Sequence, residues 1–153
     1  MEFRRTIYKD LLKWRKSNSG KVLQLEGARQ VGKTFILRKF AEENYKKEIY
    51  INMAQYSGRE FEALVDSKNV HSIFDKYTNG TFEDTKDTIV IIDEIQESSK
   101  VYSMIRQFAR EFKCDFIVTG SYLGKLLDKE FFLAAGDIDK LTMYTLSFEE
   151  FLD

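Results

Sequence analysis

The stretch Gly27-Ala28-Arg29-Gln30-Val31-Gly32-Lys33-Thr34 constrains this chain more than any other feature, because it fits G-x-x-x-x-G-K-[ST] without a mismatch. Each position has a chemical reason. Gly27 and Gly32 permit backbone angles and a close approach that a Cβ would obstruct. The amides of Ala28, Arg29, Gln30 and Val31 can then turn inward and, with a helix N-terminus behind them, bind phosphate oxygens. Lys33 has the reach for β- and γ-phosphates, and Thr34 has a hydroxyl for Mg²⁺. The alternative is a glycine loop that caps a helix and binds nothing. Its surroundings favour the phosphate reading: Val22–Leu25 is a short strand candidate before the loop, and Lys33–Tyr45 carries Phe35, Ile36, Phe40 and Ala41 at helical spacing after it.

The rest of the chain alternates in the same way. Arg4–Lys16 spaces Ile7, Leu11, Leu12 and Trp14 as a helix, broken at Asn18-Ser19-Gly20. Glu48–Met53 is a second strand candidate, and Arg59–Tyr77 reads as one or two short helices ending at Asn79-Gly80. Thr88–Asp93 holds four consecutive aliphatics, the pattern of a strand buried on both faces. Val101–Phe112 is helical, Phe116–Thr119 a fourth strand, Tyr122–Lys129 a short helix and Leu141–Tyr144 a fifth strand. Ser147-Phe148-Glu149-Glu150 matches a capping box. Strands separated by helices predict an α/β domain with a parallel sheet.

In such a sheet ligands sit beyond the carboxyl ends of the strands. Asp93 and Glu94 end the aliphatic strand, so they are expected on the same edge as the loop. There Asp93 could hold a Mg²⁺ water, and Glu94 could orient and deprotonate an attacking water. A surface carboxylate is the bland alternative for Glu94. The strand Phe116–Thr119 would lie beside the loop strand, with Thr119 as first choice for a polar contact to a γ-phosphate or water. Ser121 is its rival, or else a helix cap. Gln96 could help position the water or could be a surface residue.

Composition excludes several classes. The 153 residues include no proline and one cysteine, Cys114, so neither a proline-rich linker nor a disulfide framework is available. The longest aliphatic run, Ile89–Ile92, is far shorter than the roughly 20 residues of a membrane helix, and no signal peptide is visible, so a cytosolic protein without a membrane partner is expected. Net charge is −1, but residues 1–50 carry 13 Lys+Arg against 6 Asp+Glu. Lys21, Arg29 and Lys33 account for part of that excess at the phosphate loop. The remainder leaves a nucleic-acid partner open, without a recognised module to support it. His71 has no second histidine to share a metal, and Cys114 reads as a small apolar residue.

Four segments occur in order: G-A-R-Q-V-G-K-T (27–34), I-I-D-E-I-Q (91–96), V-T-G-S (118–121) and L-S-F-E-E-F-L (146–152). Together they resemble a prokaryotic AAA-type ATPase family, from about Arg4 to Asp153. The resemblance implies a P-loop NTPase three-layer sandwich, with a five-stranded, mainly parallel sheet in the order 5-1-4-3-2. It also implies ATP and Mg²⁺ as ligand and cofactor. Catalytic roles carry over to Lys33, Glu94 and the polar sensor Thr119, and metal-binding roles to Thr34 and Asp93. Members of that family continue into a small helical region and a nuclease-like C-terminal domain, so residues 1–153 are expected to be the ATP-binding core of a longer protein that works with that domain or a protein partner. Two alternatives remain: a nucleotide-dependent switch with little hydrolysis, suggested by the absence of arginine after Arg110, and a small-molecule kinase. Arg4, Arg5 and Tyr8 are candidates to touch the base, or else pack the first helix.

Overall fold

In the computed structural model the described residues are 2–18, 20–27, 32–65, 68–120 and 138–143. The first helix, α1 (Glu2–Ser17), leads through Asn18 and Gly20, both at positive φ, into β1 (Val22–Gly27). After the loop come α2 (Lys33–Asn44), β2 (Lys47–Asn52), α3 (Tyr56–Leu64) and α4 (Ile73–Tyr77). Asn79 and Gly80, again at positive φ, close that segment. Then follow β3 (Thr88–Asp93), a 3₁₀ turn at Ile95–Glu97, α5 (Ser99–Glu111), β4 (Asp115–Gly120) and β5 (Ile138–Met143).

The strands form one sheet in the order β2-β3-β4-β1-β5, and every pairing is parallel. Read from the other edge this is 5-1-4-3-2, as the resemblance implies. β4 therefore sits between the loop-bearing β1 and the carboxylate-bearing β3. The carboxyl ends of all three meet on one edge, because Glu26 pairs with Gly120 and Ile92 with Val118.

Period-two alternation along the strands builds the two flanking layers. Ile89 and Ile91 of β3, with Ile117 of β4 and Leu23 and Leu25 of β1, pack beneath α1 and α2 against Leu11, Leu37 and Phe40. Val90, Ile92, Phe116 and Val118 face the opposite way, toward α3, α4 and α5. That second layer is largely aromatic. Phe74 has its ring within 5.2–5.8 Å of Phe61, Phe82, Phe108, Phe112 and Phe116, mostly edge-on or tilted. Both faces of β3 are thus covered, which explains why all six of its residues are buried.

Several boundaries differ from the sequence expectation. β5 spans Ile138–Met143 rather than Leu141–Tyr144, because its backbone pairs with all six residues of β1 while the sequence Ile-Asp-Lys-Leu-Thr-Met carries little apolar signal. α3 begins at Tyr56, three residues ahead of Arg59, and α5 begins at Ser99, where the Ser98 hydroxyl accepts the Val101 amide at 3.1 Å. The expected helix Tyr122–Lys129 and capping box Ser147–Glu150, and Tyr144, lie outside the described residues. Among the described residues no helix is long and apolar enough to cross a membrane.

Candidate functional site

β1 delivers the chain to Gly27 at the carboxyl edge, and α2 carries it away from Lys33. Ala28, Arg29, Gln30, Val31 and the rival residue Ser121 lie outside the described residues. Gly32 caps α2 at φ 76°, ψ 23°, the left-handed region that glycine enters without a steric penalty. No acidic residue sits in the first turn of α2, so its positive end is not neutralised from within. Lys33 follows, only 2% exposed. Its Nζ has no hydrogen-bond partner, and the Glu94 Oε1 lies 3.6 Å away. A buried ammonium with carboxylates nearby but no hydrogen bond to use its protons fits a polyanionic oxygen group.

Asp93 is 1% exposed and accepts on both oxygens. Oδ2 receives the Thr34 hydroxyl at 2.7 Å and the Tyr50 hydroxyl at 2.6 Å. Oδ1 receives the Glu94 amide at 2.9 Å and the Thr119 hydroxyl. Burial pushes the Asp93 carboxyl up, but hydrogen bonds from Thr119, Tyr50 and Thr34 and the nearby Lys33 charge together hold it below the usual carboxylate range. It is therefore an anion at neutral pH. The hydroxyl of Thr34 and the carboxylate of Asp93 form a small, hard oxygen set of the kind that holds Mg²⁺ together with phosphate oxygens. Among the described residues no cluster of three His, Cys, Asp or Glu could hold a metal by itself.

Glu94 turns the chain out of β3 at φ 55°, ψ 47°, left-handed for a non-glycine residue. Its amide is held by Asp93 and lies 3.4 Å from the Thr119 hydroxyl oxygen. That turn brings the carboxylate to Lys33 through Oε1, while Oε2 accepts the Gln96 Nε2 at 2.5 Å. Thr119 is fully buried, with its proton given to Asp93, so here it braces the acidic pair from behind.

Lys33, Thr34, Asp93, Glu94 and Thr119 are therefore brought together, with Gln96 beside them. Tyr50 is the site residue that sequence reasoning missed. It stands on β2, two residues before Asn52, and Asn52 is the register partner of Asp93. The Arg38 guanidinium lies 4.6 Å over its ring, and burial, then the bond to Asp93, push its phenol well above the ordinary value. Only the alternation in Glu-Ile-Tyr-Ile-Asn-Met hinted at it.

Other candidates lie elsewhere. Tyr8 bonds to Glu43 and accepts from Asn44 at 3.0 Å, with its ring edge-on to Phe40, which ties α1 to α2. His71 pairs with Glu111 at 2.9 Å on the surface. Cys114 is buried, and burial, then Asp84, push its thiol up. Arg106 and Arg110 lie on α5, and Arg4 and Arg5 on α1.

No curated protein matches the chain. Solved structures share its fold at low identity. A chain of Drosophila ORC bound to DNA aligns with TM-score 0.61 at 11% identity, covering 97% of this chain and 94% of that one. A chain of Drosophila ORC bound to AT-rich DNA and Cdc6 aligns with the same score and identity, covering 97% of this chain and 58% of that one. C. elegans PCH-2 aligns with TM-score 0.53 at 13% identity, covering 96% of this chain and 43% of that one. The family model described as AAA domain matches residues 19–152. With an all-parallel sheet, a glycine-capped lysine and a buried acidic pair on one edge, the chain belongs to the AAA domain family, a class of nucleotide-binding P-loop ATPases.

Proposed function

We propose that this domain binds ATP with Mg²⁺ and hydrolyses it to ADP and phosphate. The observation that carries the reading is the buried Lys33 ammonium, unpartnered by any hydrogen bond, beside Glu94. A triphosphate laid across the start of α2 would satisfy that ammonium and meet the helix end. Thr34 and Asp93 would hold the metal, which supplies charge neutralisation on the phosphate oxygens when bound. Glu94 then takes a proton from water as the water oxygen bonds to the γ-phosphorus. The bond to the β–γ bridging oxygen breaks, and ADP leaves with that electron pair. Thr119 acts through the Asp93 carboxylate, to which it donates, and the Glu94 amide, which lies against its oxygen. Turnover by residues 1–153 alone is expected to be slow, on the order of an unassisted P-loop NTPase, because residues 111–153 hold no arginine to stabilise the transferred group. The free energy released would be used by a further domain or a protein partner.

Lys33→Ala should weaken ATP binding by about 100-fold or more and stop turnover, whereas Glu94→Gln should keep ATP bound and stop hydrolysis. Unchanged turnover in both variants would end the reading. A second reading, motivated by the absence of arginine from residues 111–153, is a nucleotide-dependent switch. Robust multiple turnover by the isolated chain would exclude it.

A further inference from the structure

Two buried side-chain polar atoms among the described residues have no hydrogen-bond partner, Lys33 Nζ and Gln96 Oε1. Both belong to side chains that meet one carboxylate, from its two different oxygens. Lys33 lies at Glu94 Oε1 and Gln96 at Oε2. The orientation of the Gln96 amide follows from chemistry, since an ionised carboxylate only accepts and so requires the NH₂ end. The carbonyl end is left buried and without a donor, next to the amide nitrogen that holds Glu94. Buried acceptors are almost always satisfied, so this one calls for a ligand with a proton to give.

Gln96 is also held stiffly. It sits in the 3₁₀ turn between Ile95, which is fully buried, and Ser98, whose side chain caps α5 and bonds to Glu62. The Glu97 amide returns to the Glu94 carbonyl at 3.1 Å, and the Ser98 amide to Ile95 at 3.1 Å. The amide of Gln96 therefore works from a fixed base.

We propose that Gln96 positions the attacking water: its Nε2 fixes the Glu94 carboxylate, and its Oε1 accepts one proton of a water whose other proton faces Glu94. A water held by two acceptors has both protons engaged and a lone pair free for the γ-phosphorus. That is what in-line attack requires. During the reaction the proton facing Glu94 transfers to it, the oxygen bonds to phosphorus, and the hydrogen bond to Gln96 is kept. This inference rests on the hydrolysis reading above, and adds a second residue to the water's shell.

The test uses the full chain, its Gln96→Leu and Gln96→Asn variants, and Glu94→Gln alone and combined with Gln96→Leu. Leucine matches the volume but lacks the amide; asparagine keeps the amide on a shorter stem. Single-turnover hydrolysis should fall about 100-fold in either Gln96 variant. Affinity for ADP and for a non-hydrolysable ATP analogue, read with a fluorescent nucleotide, should stay within about two-fold. Affinity for ADP with aluminium fluoride, which requires the axial water, should fall about ten-fold. Gln96→Leu should add nothing further once Glu94 is glutamine. Wild-type rates and wild-type aluminium fluoride affinity in the Gln96 variants would overturn the proposal and leave hydrolysis by Glu94 standing. Equal losses for all three nucleotide ligands, or unfolding of both variants, would also overturn it by assigning Gln96 a scaffold role. Failure of the wild-type chain to bind or hydrolyse ATP would remove the hydrolysis reading and this one together.

Discussion

Asp93 and Asp115 stand at opposite ends of neighbouring strands and are built alike. Each accepts a tyrosine hydroxyl on Oδ2, from Tyr50 at 2.6 Å and from Tyr45 at 2.5 Å. Each has a cation nearby, Lys33 for Asp93 and Lys86, at 3.4 Å, for Asp115. Their surroundings separate them. At the amino end the charges are matched: Arg15 lies 4.4 Å over the Tyr45 ring and 4.0 Å from Asp87, and Lys86 is half-exposed to water. The cleft there, lined by Leu12, Arg15, Lys16, Asn44 and Lys86, has its cations already engaged or wet. At the carboxyl end, Asp93 is saturated with donors while two atoms around its neighbour Glu94, Lys33 Nζ and Gln96 Oε1, are dry and unmatched. The same aspartate–tyrosine pairing is thus a clasp at one end and the floor of a site at the other. What distinguishes a site is the unmet demand beside the clasp.

That contrast can be broken by mutation. The largest expected effect is on binding: Lys33→Ala should weaken ATP affinity by about 100-fold or more, roughly 3 kcal/mol, in a nucleotide titration, whereas Lys86→Ala should leave it unchanged. Next is stability. Asp93→Ala strands the hydroxyls of Thr34, Tyr50 and Thr119 and the Glu94 amide, and should cost about 3 kcal/mol in denaturant unfolding, against about 1 kcal/mol for Asp115→Ala, whose lysine partner water can serve. Equal costs would sink the distinction. Gly58→Ala comes third. A Cβ there would lie 2.3 Å from the Asn52 carbonyl oxygen and 2.5 Å from the Met53 Cα. Since backbone cannot step aside cheaply, a loss of about 2 kcal/mol and a shift of the β2 end that carries Tyr50 are expected.

The smallest effect is a pH dependence. Burial, then the hydrogen bond and charge of Asp115, push the Tyr45 phenol well above its ordinary value of 10.0. The folded chain therefore keeps this proton at a pH where the unfolded chain has released it. The resulting stability is fully present below about pH 10 and falls as the pH rises beyond it. Tyr45→Phe should flatten that alkaline limb while costing about 1 kcal/mol at neutral pH. An unaltered alkaline limb would show that Tyr45 does not set it.

The parts of the site that were legible in the sequence are those written locally. Gly32-Lys33-Thr34 needs only adjacent residues, and Ile89–Ile92 followed by Asp93-Glu94 announces both a buried strand and the place where it ends. The sheet order followed from that same pattern joined to the family resemblance. Tyr50 was not legible, because its role depends on the register of β2 against β3, and register is a property of two distant segments. The direction of Thr119 was hidden for a similar reason. Its hydroxyl could aim outward at a ligand or sideways at Asp93, and only the β3–β4 spacing decides. The bond from Gln96 to Glu94 depends on the left-handed turn at Glu94, which nothing in Asp-Glu-Ile-Gln marks in advance.

That turn has an evolutionary consequence. A side chain at φ 55° costs about 1–2 kcal/mol that glycine would not incur. Glutamate and glycine codons differ by a single base, so the change that most readily relieves the turn at position 94 also deletes the carboxylate. That deletion leaves the buried Lys33 ammonium without its nearest counter-charge, which costs more than the turn returns. A lineage released from selection for chemistry is therefore expected to shed Lys33 first, and only then to relax the turn to glycine.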